Sequence, residues 1–182
     1  MEPKNGFYDK SKDKVTLAIE ITTDEPKVDK CIISNPSKSN GTLFMEIEKM
    51  SGFAREVFYS QRKSETVTYI KGFPWKILAH INPSKKGSVK CLGIFLSCAA
   101  PKEAENWSCE CSGVIRIFSQ KNDVTDLRRE FDAHIINNGY NDWGFSEFIT
   151  FADLMHPEKG FYNESEDKVT LTIDFTVEEA KR

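Results

Sequence analysis

Asp142, Trp143, Gly144 and Phe145 place a carboxylate, two large aromatic rings and a glycine in four consecutive positions, inside the run 141–148. The chemistry open to such a set is capture rather than bond-making. Rings remove apolar groups of a partner from water, and a carboxylate accepts a hydrogen bond; aromatic residues are among those that most often carry binding energy at interfaces. Trp143 and Phe145 fall on one face of an extended chain, while Phe148 breaks the period of two, so the run does not read as a regular amphipathic strand. Gly144 permits a bend or a close backbone approach. Two readings follow. The run is a loop whose aromatics plug the end of a core, or it is a surface where Trp143 and Phe145 stay partly open to grip a partner.

Other chemistry is poorly supplied. The five cysteines (Cys31, Cys91, Cys98, Cys109, Cys111) are odd in number and include no CxxC pair. Cys109 and Cys111 are two apart, so on a strand both face the same way, as small buried hydrophobes do. The histidines His80, His134 and His156 are scattered, and no metal-ligand spacing appears. No cofactor or metal is therefore expected. There is no nucleophile elbow, zinc-protease helix, phosphate loop or dinucleotide fingerprint. A Cys109–His134 hydrolase dyad is conceivable, but nothing near Cys109 in sequence would lower a thiol pKa. No catalytic residue is expected.

The elements that must position the run are strands. A net charge of −3 and a pI near 5.7 disfavour nucleic-acid or anionic-membrane surfaces, and no stretch approaches the length of a membrane span. Met1–Asn5 has no signal-peptide core, which predicts a reducing compartment, cytoplasmic or nuclear. The sequons at Asn40, Asn106 and Asn163 are then chance matches. Strands are predicted over 42–49, 56–60, 65–70, 75–81, 89–98, 107–119, 128–136 and 168–177, with turn signals at Asn40-Gly41, Asn82-Pro83, Pro101, Asn122-Asp123 and Asn137-Asn138-Gly139. Residues 92–98 are nearly all apolar and read as a strand covered on both sides. A short helical turn is expected over 148–155, with Phe148, Phe151 and Met155 on one face. Many antiparallel strands without β–α alternation predict an all-β, two-layer sandwich.

A repeat runs through the two ends. Residues 1–25 match 155–179 at 14 of 25 positions. In each copy apolar residues alternate with polar ones, as Val15, Leu17, Ile19, Ile21 and as Val169, Leu171, Ile173, Phe175. Residues 1–27 therefore read as the closing strand of a preceding repeat plus a linker, and 28–182 as one full module. The leading strand, 14–22, is expected to fray, to lie along an edge or to associate with another molecule, because its normal place is taken by 168–177.

Three stretches together bring a family into view: Gly72-Phe73-Pro74-Trp75-Lys76-Ile77 leading to Ile81-Asn82-Pro83, Leu92 through Cys98, and Asp142-Trp143-Gly144-Phe145 followed by Phe148. In this order and spacing they resemble a MATH domain, the module shared by meprins and the C-terminal half of TRAF adaptors, and especially the expanded nematode group. The resemblance implies an eight-stranded antiparallel sandwich without catalytic activity and a shallow groove for short extended peptides. It implies that Asp142, Trp143 and Phe145 line that groove. By the same reckoning the family's further aromatic positions fall on His134, on Leu92 and near Gly113, and its basic position after the motif falls on Ser146.

With Leu, Gly and Ser at those positions the groove is expected to be less basic and differently shaped, so the specificity of relatives does not transfer. Partners are expected to be peptide segments of other proteins, at micromolar affinity unless modules act together. The connection would be to adaptor or substrate-recognition roles in ubiquitin-linked pathways. The competing expectations are an oligomerising module without a groove, or the targeting domain of a larger enzyme. No heptad run favours a coiled-coil oligomer.

Overall fold

The computed structural model of the chain describes residues 8–9, 14–15, 31–32, 39–100 and 107–178. Within them, two short strands form a hairpin, β1 (Tyr8–Asp9) with β2 (Lys14–Val15). The leading strand expected over 14–22 lies, beyond Val15, outside the described residues.

The body is a two-layer antiparallel sandwich. One sheet has the order β10 (Leu127–Asn137), β9 (Ser108–Ile117), β12 (Lys168–Val177), β4 (Asn40–Glu48). The other runs β11 (Asp142–Thr150), β8 (Lys90–Cys98), β7 (Phe73–Pro83), β6 (Val67–Ile70), β3 (Cys31–Ile32), with β5 (Gln61–Lys63) also on β7. β5 and β6 pair with successive parts of β7, so they act as one edge strand broken at Ser64. Its buried hydroxyl takes the Ile77 N–H at 3.0 Å and donates to the Thr66 carbonyl at 3.1 Å, standing in for the ladder where the strand is cut. Counted this way, the sandwich has the expected eight strands, plus the short parallel β3.

Alternation explains the layers. In β4, Leu43, Met45 and Ile47 are buried while Phe44, Glu46 and Glu48 face out. β12 buries Val169, Leu171, Ile173, Phe175 and Val177, as its pattern predicts. Trp75 fills the centre: it is wholly buried, packs 5.4 Å from the Phe175 ring, and donates Nε1–H to the Ile70 carbonyl at 3.3 Å. Cys91, Cys98, Cys109 and Cys111 are all buried as free thiols.

Three expectations are revised. Residues 56–60 form turns rather than a strand, because Tyr59 adopts φ 67 and cannot continue an extended chain. Residues 142–150 are a strand, β11, which tolerates the broken period because its register shifts between Phe145 and Ile149. The helical turn is α2 (Phe151–Leu154), capped by Thr150, so Phe148 belongs to the strand. Elsewhere, α1 (Met50–Phe53) is tied to the start of β12 through Asp167, which accepts from the Ser51 N–H and hydroxyl, both at 2.8 Å, and from the Tyr162 hydroxyl at 2.8 Å. Those three donors hold its carboxyl below the usual carboxylate range, the Ser51 backbone first among them.

Candidate functional site

β11 and β10 are the edge strands of their two sheets, and they lie side by side along one open flank of the sandwich. Cross-strand partners in an antiparallel ladder share a face. Trp143 and Phe145 are opposite Leu96 and Ile94, both wholly buried, so both rings point inward toward β10. Asp142 and Gly144 are opposite Ser97 and Phe95 and point outward.

What meets the rings is set by a second bulge. β10 shifts register between Phe131 and His134, and Ala133 there has φ 45, a left-handed conformation that alanine adopts only under constraint. The shift turns His134 toward β11. Its imidazole lies flat on the Trp143 indole, with centroids 3.3 Å apart and planes 12° from parallel. One turn along the flank, the Arg129 guanidinium covers Phe145 and Phe148, 5.5 and 5.3 Å from their centroids. Phe148 is buried and Phe145 packs on it, with ring centroids 6.0 Å apart.

The rings thus differ in fate. Trp143 remains 39% exposed and borders a concavity of about 620 Å³. Its other walls are Phe95, Asp142, Gly144 and Ser146 on the outer face, and His134, Ile135 and Tyr140 across the flank. Asp142, Trp143, His134 and Ser146 are therefore brought together around one concavity. Phe145 is not among the walls, since Arg129 and Phe148 enclose it. Leu92 is a correction: it is wholly buried opposite Ile81 and points into the core, so it cannot touch a ligand. Gly113 lies in the other sheet, its backbone pressed against Asp174 and Phe131.

Two glycines make the shape possible. A Cβ on Gly144 would fall on the Ile94 carbonyl and 2.7 Å from the Phe95 Cα, so only glycine allows β11 this close to β8. A Cβ on Gly93 would strike the Asn82 amide, which crosses that gap to donate to the Ser146 carbonyl at 3.2 Å. Asn82 thereby anchors the shifted segment of β11 from two strands away.

Phe95, Ile135 and Tyr140 are walls that the sequence reading passed over. Phe95 had a signal: Leu92, Ile94 and Leu96 occupy one parity of β8, leaving Phe95 to the other, where it meets His80 with centroids 5.4 Å apart. β8 is thus sealed on its inner side and only half covered outside. Tyr140 and Ile135 are 78% and 56% exposed. Tyr140 is held over the concavity by the turn, where the Asn137 side chain accepts from the N–H groups of Gly139 and Tyr140 at 2.8 and 2.9 Å.

The electrostatics are mild. Burial lowers the His134 pKa, so its imidazole favours the neutral form. His80 is lowered chiefly by burial, against the pull of the Asp142 carboxylate, and its Nε2 is buried with no partner among the described residues. The Asp142 carboxylate is one of the walls of the concavity. The Cys109–His134 dyad is not assembled: the Cys109 sulfur lies 3.9 Å from Cys111 and the His134 ring is stacked on Trp143. Burial raises the Cys98 thiol to about 12, and the contact with the Cys109 sulfur, with burial second, pushes Cys111 up as well, so these sulfurs stay protonated. Among the described residues no cluster of His, Cys, Asp and Glu could hold a metal ion.

Comparison with known proteins gives the sandwich a family context. A family model described as MATH domain matches residues 42–175. Ubiquitin carboxyl-terminal hydrolase 7 of Drosophila melanogaster is 31% identical over 114 residues, covering 63% of this chain and 9% of its own length. The protein of the same name from Caenorhabditis elegans is 25% identical over 182 residues, covering 92% of this chain and 15% of its own length. The chain thus spans only a small part of these curated relatives. Among solved structures, Notothenia coriiceps TRAF5 superposes with a TM-score of 0.55 at 14% identity, over 76% of this chain and 73% of that one, a likeness of fold.

Proposed function

Because the chain belongs to the MATH-domain family of protein-interaction modules, we propose that it captures a short extended segment of a partner protein along the β10–β11 flank, without chemistry of its own. The observation that carries this reading is the half-open Trp143 ring, which borders a concavity with an outward carboxylate beside it. A native sandwich has no folding reason to leave an indole at 39% exposure among other exposed apolar groups, here Ile135 and Tyr140.

An extended segment can use the backbone edge of β11, which has no ladder partner on that side among the described residues, for hydrogen bonds and alternate its side chains between the concavity and solvent. Trp143, Ile135 and Tyr140 would take an apolar side chain, at roughly 25 cal/mol per Å² removed from water. Asp142 would accept from a Ser or Thr hydroxyl or a backbone N–H, and Ser146 would offer a neutral contact. With neither a free cation nor a deep pocket among these walls, recognition is expected to favour neutral, partly apolar segments. The named relatives are ubiquitin hydrolases, so a targeting role in a ubiquitin-linked setting is part of the proposal.

The test is a peptide-array screen of the chain against its Trp143→Ala and Asp142→Asn variants. Both variants should keep the fold. Trp143→Ala should weaken captured peptides by about 2 kcal/mol or more, and Asp142→Asn should weaken those bearing a hydroxyl. Unchanged capture by Trp143→Ala would remove the flank from consideration and favour an oligomerising module instead.

A further inference from the structure

Residues 1–25 repeat 155–179 at 14 of 25 positions, a feature separate from the residues named for the docking flank. What the repeat keeps is most of what seats β12. Val169, Leu171 and Ile173 are wholly buried, and Val15, Leu17 and Ile19 are identical to them. Phe161 is buried, and Tyr162 bonds to the Asp167 that ties down α1; Phe7, Tyr8 and Asp13 stand at the matching positions. One backbone pairing is kept too. Asn163 bridges Lys168, and their counterparts Asp9 and Lys14 are paired in the β1–β2 hairpin.

The far end of β12 supplies the geometry. Thr176 pairs with Asn40, the first residue of β4, and Thr22 is the counterpart of Thr176. Residues 23–39 are all that join Thr22 to Asn40. A strand entering from the N-terminal side could therefore run in the direction of β12 and return to β4 through a connection that carries β3 along the edge of β6, with no crossing of the β9–β12–β4 sheet. The short tether gives it a high local concentration at the slot.

We propose that the slot between β9 and β4 accepts either of two segments of this chain, 168–177 or 14–22. In the structure the C-terminal copy holds it. The differences between the copies set the balance. Ile21 replaces Phe175, whose ring fills the space beside Trp75, so the N-terminal copy leaves a gap there. Ala18 replaces Thr172, whose hydroxyl is buried with no partner among the described residues, so the N-terminal copy removes that penalty. The gap is the larger effect, and the N-terminal copy takes over only when β12 is withdrawn. Exchange then frees residues 155–182 to pair elsewhere while the Trp143 flank is left unchanged.

The experiment uses the full chain. Leu171→Asp with Ile173→Asp disables β12; the proposal expects this variant to remain monomeric and to keep a cooperative thermal transition at a lower midpoint. Adding Leu17→Asp and Ile19→Asp should abolish that transition. A cysteine trap gives the position: Thr172 pairs with Phe44, so Ala18→Cys with Phe44→Cys should cross-link within one chain when β12 is disabled. Loss of the transition with β12 disabled and no cross-link overturns the proposal, as does a cross-link found only between two chains.

Discussion

Trp75 and Trp143 occupy strands of the same sheet, with β8 between them, yet the two indoles live in opposite surroundings. Trp75 is on the central strand β7, wholly buried, with Phe175 on its face and its N–H bonded to the Ile70 carbonyl. Trp143 is on the edge strand β11, half open, with a single ring stacked on it. Burial at the centre is enforced by strands on both sides and a sheet above. At the edge, the exposure of a ring is set by whatever the neighbouring edge strand presents, here His134 after the Ala133 bulge. The lesson is that an indole on the central strand is sealed by its neighbours, while one on the edge strand is only as covered as the facing edge allows.

The largest expected effect tests the first half of that contrast. Trp75→Ala should cost about 3–5 kcal/mol of stability, read as a fall in the denaturant midpoint; a cost no greater than that of Trp143→Ala would erase the distinction between centre and edge. Next comes Gly144→Ala, which forces a Cβ against the β8 backbone. It should cost about 1–3 kcal/mol and distort the Trp143 flank, seen as changed amide shifts in β8 and β11. Trp143→Ala itself should lose only about 1 kcal/mol of stability, the worth of one aromatic stack, in the same denaturation measurement.

Smaller effects sharpen the account of the edge. Ala133→Gly relieves a left-handed alanine and should raise stability by up to about 1 kcal/mol, provided that the bulge is retained. Titration offers the last check. Burial lowers the pKa of His134 and, with other groups contributing, that of His80. As pH falls below about 6.5 the unfolded chain therefore takes up protons first. Stability should be full above that pH and decline as acidity approaches the lowered folded values. His134→Phe keeps a ring on Trp143 and should remove the share of that decline owed to the edge, measured as the thermal midpoint between pH 7.5 and 5.

Much of the sandwich was legible because single-sided burial writes itself as alternation. Leu43, Met45 and Ile47, or Val169 through Phe175, admit no other register, and the family motifs fell on the strands that surround Trp75. The flank was harder to read. β11 hides behind a register shift that puts Phe148 out of step, and Tyr59 looks like a strand residue but turns left-handed. The Ser64 break leaves no apolar signature, since a hydroxyl does the work of a ladder. Leu92 was misplaced because counting along the chain preserves position but not the face of the sheet, and one step of parity separates an outer-face residue from the core. Phe145 was assigned the same exposure as Trp143 because the sequence does not place Arg129 over it.

The most direct measurement is the affinity of one peptide captured by the chain, determined for the wild type and for Trp143→Ala alongside the thermal midpoints of both. The account predicts a loss of at least about 2 kcal/mol in binding with a midpoint that moves only slightly. Equal affinity in the two proteins, or a variant that no longer folds, would contradict it.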